Sequence, residues 1–213
     1  MKCRCCNNKM KIFKPQIYQC ESCKAIFRDY TINLKEYYEE NYRDYMPLKN
    51  QELETLHKLN FIDKVKSYID GDTCLDIGCG SGILLNLLDI KEKYGCELDP
   101  RFEKDNVTIC DLFDYPEDKP FDIVFGLDVL EHILEVEAFV EKMNKLCKKT
   151  LILNLPIDRS IHHHEPFDGH FWYFQPKSID ALFAKYFKLE EAIRLAPHIV
   201  SNGPSLTCVL VKE

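Results

Sequence analysis

The 213-residue chain has no apolar run approaching the ~20 residues that cross a bilayer, which excludes a helical membrane span. Its first residues, MKCRCCNNKMK, lack the apolar stretch of a secretory signal, so a cytoplasmic location is expected. An excess of positive charge is missing as well: 28 Lys and Arg face 35 Asp and Glu, for a net charge of −7. An acidic surface repels a phosphate backbone, so the bulk of the chain is not built for non-specific nucleic-acid binding. With 46% hydrophobic and 30% charged residues, the composition also excludes a disordered or fibrous protein. The length suits one full domain with a small appendage.

Cysteine, by contrast, is abundant. Five of the 11 cysteines fall within the first 23 residues. A cytosolic chain keeps its thiols reduced, so disulfides do not explain them. Cys74, Cys79, Cys96, Cys110, Cys147 and Cys208 sit among apolar neighbours and read as small buried hydrophobes. The cluster reads differently. Cys3-x-x-Cys6 and Cys20-x-x-Cys23 are two pairs whose short spacers each aim two thiolates at one ion. Cys5 competes with Cys6 as a ligand, and the two-residue spacer favours Cys6. No glycine follows the second cysteine of either pair, although Asn7 can take the left-handed conformation needed there. Four thiolates leave no open position, so the expected Zn2+ is structural, a staple for a segment too short to have a core. Lys9 to Gln19 reads as a short hairpin between the pairs. Residues 1–28 carry seven basic side chains against Glu21 alone, which leaves −13 on the rest of a chain whose total is −7. Such a basic knob fits RNA, a phosphorylated substrate, or its own acidic domain.

A tyrosine-rich stretch, LKEYYEENYRDYM at 34–46, precedes an apolar pattern at Leu53, Leu56, Leu59, Ile62, Val65 and Ile69 that predicts an amphipathic helix over 51–69. Strand, glycine turn and helix follow: Thr73 to Ile77, then Gly78-Cys-Gly-Ser-Gly82, then Ile83 to Leu88. Without Cβ atoms such a turn bends sharply, and the helix behind it offers free N–H groups to a ligand. Further strands are expected at 93–97, ending in Glu97, at 107–110, followed by Asp111, at 121–126, running into Leu127-Asp128, and at 151–155. An acid about twenty residues beyond the glycine turn is where ribose hydroxyls are held in doubly wound sheets. A helix from Ser178 to about Lys185 and strands at 188–194 and 205–211, an antiparallel edge hairpin, complete a seven-stranded, mostly parallel sheet.

CLDIGCGSG, GCELDP, the CDL at 110–112 and FDIVFGLDVLEHI together closely resemble the motif series of class I S-adenosylmethionine-dependent methyltransferases, over roughly residues 51–213. The resemblance implies a Rossmann-like fold with a zinc-ribbon-like module at 1–30, a tyrosine-rich linker or lid at 31–50 and the S-adenosylmethionine-binding domain at 51–213. It implies Asp76, Gly78, Cys79 and Gly80 under the methionine part of the cofactor. Glu97, with Leu98, would hold the ribose. Asp111 and Leu112 would hold the adenine, and Leu127 and Asp128 would floor the methyl-donor pocket. The arrangement also looks like a subgroup that methylates sugars and other precursors of surface polysaccharide. There the tyrosine segment closes over the cofactor, which implicates Tyr42 with Tyr37, Tyr38 and Tyr45.

Methyl transfer from a sulfonium is an in-line displacement, and a hydroxyl acceptor must lose a proton. Histidine suits that task. His170 lies on the histidine of the subgroup's His-x-x-x-Phe-x-Pro-x-Ser pattern and ranks first, followed by His163 or His164 and then His132. A divalent cation, Mg2+ or Mn2+, stands as the alternative at Asp128, Glu131 and His132, or at His162 to Glu165 with Asp168. Trp172, Tyr173 and Phe174 either stack on an acceptor or anchor the loop on the core. The expected activity is O-methylation of a sugar, nucleotide sugar or phosphorylated precursor. An RNA methyltransferase and a non-catalytic cofactor-binding scaffold are the competing readings. Against RNA stands the missing Asn-Pro-Pro-Tyr-like motif after the fourth strand of the domain.

Overall fold

The computed structural model describes residues 1–29, 51–157, 169–195 and 204–213. Seven strands form the main sheet: β4 (Thr73–Ile77), β5 (Glu92–Glu97), β6 (Val107–Ile109), β7 (Phe121–Leu127), β8 (Cys147–Pro156), β10 (Phe187–Leu195) and β11 (Ser205–Lys212). Their order is β10-β11-β8-β7-β4-β5-β6. The pairs β6–β5–β4–β7–β8 are parallel, and β11 runs antiparallel to both β8 and β10. The chain goes outward from β4 through β5 and β6, then crosses back to β7, so the sheet's switch point lies between β4 and β7. Ligands bind outside the strand carboxyl ends at such a point.

The interior strands are apolar on both faces. Cys74, Leu75, Ile123, Val124, Phe125, Leu151, Ile152 and Leu153 are all fully buried, as expected of parallel strands covered on both sides. Helices α1 (Gln51–Val65) and α2 (Ile83–Leu87) contribute to one hydrophobic cluster, through residues such as Phe61 and Leu84. Helices α3 (Val136–Leu146) and α4 (Pro176–Phe183) contribute to the other. Asn154, the polar break in β8, accepts from the Thr207 hydroxyl at 2.9 Å, which satisfies it inside the core.

Two local expectations change. In α1 the buried residues are Phe61 and Val65, while Leu56 and Leu59 are 62% and 46% exposed. The helix meets the sheet by edge-to-face packing of Phe61 on Phe125, at 6.4 Å between ring centroids, so the burying face is not the leucine row. At α4 the cap is Gln175, with Pro176 at the first helical position; Ser178 is the third helical residue and donates back to the Gln175 carbonyl at 2.7 Å.

The N-terminal residues build a second sheet, in the order β1-β2-β3-β9: β1 (Met10–Lys14), β2 (Ile17–Cys20), β3 (Ile26–Arg28) and β9 (Trp172–Tyr173). The β1–β2 hairpin is the expected one; β3 and β9 are additions. β9 pairs antiparallel with β3, Ile26 opposite Tyr173 and Phe27 opposite Trp172. The Arg28 amide extends the ladder to the Phe171 carbonyl at 2.8 Å. Phe171, Trp172 and Phe174 are buried, which decides for the core-anchoring role of these aromatics. Arg4 pairs with Glu135 and Glu137 at the start of α3, so part of the module's positive charge is spent on its own acidic domain.

Lys142 is a polar tie that the sequence did not signal. Its buried ammonium donates to the Phe113 carbonyl (3.0 Å), the Tyr115 carbonyl (2.6 Å) and the Glu117 carboxylate (3.0 Å), and so fixes the turn that begins at Asp111. Lys142→Met leaves two carbonyls without their donor. It is expected to lower stability by about 2–3 kcal/mol, read as a lower midpoint in urea unfolding.

Candidate active site

The loop leaving β4 follows its glycines. Gly78 has φ +66°, and a Cβ there would stand 2.8 Å from Val129; its amide donates to the Cys96 carbonyl at 2.8 Å. Gly80, at φ +50°, has nothing within 4 Å of where a Cβ would be, an open space at the mouth of the switch point. Cys79 lies between them with its thiol turned towards Gly95, where burial pushes its pKa up to about 12. At the end of β5, Glu97 accepts from the amides of Gly80 (2.8 Å), Leu98 (2.8 Å) and Asp99 (3.0 Å). Leu98 is exposed. Beyond β6, Asp111 caps a short 3-10 turn by accepting from the Phe113 amide at 2.8 Å, with Leu112 buried behind it. Leu127 ends β7 and is buried; Asp128 follows with φ +58° and donates its amide to the Asn154 carbonyl at 2.9 Å. The backbone thus brings Asp76, Gly78, Gly80, Glu97, Asp111, Leu127 and Asp128 to the strand ends of one sheet edge. Tyr37, Tyr38, Tyr42 and Tyr45 lie outside the described residues.

Three further side chains converge beside the β7 end. One ligand atom each from Glu131, His132 and His170 lies within 4.8 Å of the other two. His132 sits in the 3-10 turn Leu130–His132, and its Nδ1 stands 2.9 Å from the Gly169 carbonyl. A carbonyl only accepts, so Nδ1 carries a proton, and in the neutral ring the lone pair is then on Nε2. The His132 and His170 rings meet edge to face at 4.6 Å, and His170 meets Tyr173 at 5.9 Å. Backbone pairing keeps the segment in place, since the Phe171 amide donates to the Glu131 carbonyl at 2.8 Å. Asp128 is not part of this group. His162, His163, His164, Glu165 and Asp168 lie outside the described residues.

At the N-terminus, Sγ atoms of Cys3, Cys6, Cys20 and Cys23 all lie within 4.8 Å of one another. The Cys3–Cys23 and Cys6–Cys20 separations are 3.6 and 3.5 Å. Four thiolates around one zinc ion stand about 3.8 Å apart, given Zn–S bonds of about 2.3 Å. Asn7 (φ +58°) and Lys24 (φ +67°) supply the left-handed turns after each pair. Cys5 is a neighbour instead of a member. Hydrogen bonding by its thiol holds Cys23 down to about 4 and Cys3 down to about 6, while Cys5 itself is pushed up by those same two partners.

The family described as "Methyltransferase domain" matches residues 38–186. The chain belongs to the class I S-adenosylmethionine-dependent methyltransferases. It is 29% identical over 165 residues to a probable (S)-tetrahydroprotoberberine N-methyltransferase 2 of Papaver bracteatum, which covers 63% of this chain and 44% of that protein. The chain therefore spans less than half the length of that curated relative. Its fold matches N-methyltransferase NodS of Bradyrhizobium japonicum WM9 with bound S-adenosyl-L-homocysteine at TM-score 0.65 and 14% identity, covering 85% of this chain and 99% of that one. A Burkholderia thailandensis 1,6-didemethyltoxoflavin-N1-methyltransferase matches at TM-score 0.62 and 14% identity, over 96% and 99% of the two chains. No helix among the described residues is long and apolar enough to cross a membrane.

Glu131 is the member of the histidine group that sequence reasoning ranked only as an alternative cation ligand. The signal was present, an acid directly before His132 in the LDVLEH segment, but what brings His170 alongside is a set of long-range contacts, the Phe171 amide on the Glu131 carbonyl and His132 on the Gly169 carbonyl, which no local pattern announces.

Proposed function

We propose that the methyltransferase moves the methyl group of S-adenosylmethionine to a hydroxyl of a small polar acceptor, a sugar, nucleotide sugar or related phosphorylated precursor. The carbon–sulfur bond breaks with its electron pair going to sulfur, an oxygen–carbon bond forms, and the acceptor's proton leaves at the Glu131–His132–His170 group. That group is the observation that carries the reading: two imidazoles and a carboxylate stand together beside the end of β7, where the donor methyl is expected. A hydroxyl needs such help at neutral pH more than a neutral amine does. Glu97 is assigned to the ribose hydroxyls, Asp111 to the adenine, the loop through Gly78 and Gly80 to the methionine part, and the four-cysteine cluster to a structural Zn2+. A nitrogen acceptor is the second reading, favoured by the relatives named as N-methyltransferases.

Incubation with methyl-labelled S-adenosylmethionine and a host extract split into metabolite, RNA and protein fractions tests this. Label in the metabolite fraction supports the proposal, and the NMR chemical shift of the transferred methyl carbon in the product separates oxygen from nitrogen. Label in RNA alone overturns it.

Asp76 adds a pH dependence. Desolvation in β4 pushes its carboxyl from 3.8 up to about 7, against the pull of Lys58 and with the charge of Glu97 adding to the rise. Between those values the folded chain holds a proton that the unfolded chain has released, so this group's contribution to stability falls as pH rises to about 7 and is flat above it. The ionised form is the one that would attract the cofactor's ammonium. Cofactor affinity is therefore expected to increase as pH passes upward through 7, and Asp76→Asn to flatten that profile. Calorimetric titrations on either side of pH 7 check both.

A further inference from the structure

We infer that Glu131, His132 and His170 form a second metal site, distinct from the four-cysteine cluster, which takes a divalent first-row transition ion. The donor atoms converge within 4.8 Å of one another, compact enough for one ion to reach all three. The tautomer is set for ligation. His132 donates from Nδ1 to the Gly169 carbonyl at 2.9 Å, so the neutral ring would ligate through Nε2. Metal-binding histidines almost always donate their other ring N–H in this way, and the bond fixes the ring's orientation. Glu131 supplies a negative charge from a side chain in a residue only 1% exposed, and a buried carboxylate is strongly stabilised by a cation at its oxygen.

The donor set also selects the ion. Two imidazole nitrogens and one carboxylate oxygen suit Zn2+, Mn2+ or Fe2+, whereas Mg2+ takes oxygen ligands in a near-ideal octahedron. Asp128, which an oxygen-rich Mg2+ site would recruit, stands outside the group. Three protein ligands leave positions open, unlike the closed tetrathiolate at the N-terminus. An acceptor hydroxyl bound at an open position would release its proton to water more readily, because a bound cation lowers the pKa of an oxygen ligand, and the three side chains would then act as ligands in place of a base. That role in transfer rests on the proposed hydroxyl acceptor; the ion site rests on the geometry alone.

The ligands come from two places that the fold joins late. Glu131 and His132 belong to the turn after β7, and His170 immediately precedes Phe171 and β9. The Phe171 amide bonds the Glu131 carbonyl while the Phe171 carbonyl receives the Arg28 amide. The third ligand is therefore held by the N-terminal sheet.

The test counts ions on the full-length chain. Protein saturated with Zn2+ and desalted is analysed for metal by plasma mass spectrometry, alongside the His132→Ala/His170→Ala double variant and Glu131→Gln. The wild type is expected to retain two ions per chain, the double variant one, and Glu131→Gln an intermediate, weakly held second ion. Titration of Co2+ into wild type loaded with a single equivalent of Zn2+, which fills the tetrathiolate first, is expected to give visible absorption without a thiolate charge-transfer band, absent in the double variant. A wild type that keeps a single ion overturns the inference, as does a double variant that keeps both, which would locate the second ion elsewhere. Binding of S-adenosylhomocysteine by the double variant shows that it is folded. The count reads metal alone, so it stands whether the acceptor proves to be a hydroxyl or an amine.

Discussion

Replacing Cys20 by serine is expected to abolish methyl transfer and shift the emission of Trp172 to the red while binding of S-adenosylhomocysteine persists. Zn2+ at such clusters contributes apparent folding energies of about 10–16 kcal/mol, more than the few kcal/mol a segment this short could draw from its own core. Loss of one thiolate therefore costs the module its fold. The damage reaches the acceptor side through β9. Trp172 is the only tryptophan in the chain, is 1% exposed, and lies 4.6 Å from Phe27 and 6.0 Å from Phe174 between ring centroids. When β3 unravels, that ring loses its cover on the module side and reports the event without any added label. The residues assigned to the cofactor, on or just after β4, β5 and β6, belong to the other sheet and are expected to stay in place. Fluorescence, metal content and cofactor affinity measured on one preparation check all three parts. Unchanged emission in a zinc-free protein would sink the idea.

Glu97→Ala is expected to weaken S-adenosylmethionine binding by about 3 kcal/mol, on the order of 100-fold in Kd. The carboxylate is pre-set by three amides, from Gly80, Leu98 and Asp99. Its removal takes away the proposed ribose acceptor and also releases the glycine loop that it anchors. Hydrogen bonds to a charged group contribute about 1.5–3 kcal/mol each, and the losses here do not add independently. Glu97→Gln keeps the shape and one acceptor oxygen, so its Kd should fall between the two. Calorimetry decides, and an affinity for Glu97→Ala within a factor of a few of wild type would remove Glu97 from the cofactor site.

The sheet and the strand-end acids were legible because each is carried by a local pattern: apolar runs such as Leu151 to Leu155, a glycine turn after β4, an acid at the end of β5. The paired CxxC spacing was equally local, and so was the left-handed Asn7. What escaped was long-range. β3 is three residues and β9 two, too short for any periodicity to register, and their partnership depends on burying Phe27 against Trp172. Lys142 reads as a solvated helix lysine until the turn at 113–117 folds over its ammonium. The leucine row of α1 misled because periodicity gives a face but not the geometry of approach, and Phe61 stands closer to the sheet.

The β3–β9 ladder also has a meaning for the order in which the molecule comes together. Arg28 and Tyr173 are 145 residues apart in sequence, and the Arg28 guanidinium donates to the Tyr173 hydroxyl at 2.9 Å. Contacts of that separation demand loop closure before they return any energy, and they form late. Strand β3 must therefore wait until Trp172 and Tyr173 have been made before it has a partner. With the proposed Zn2+ at the four cysteines, a cell short of zinc would accumulate chains that bind cofactor yet present an unfinished acceptor face, so metal supply would set how much of the protein is competent without altering how much is made.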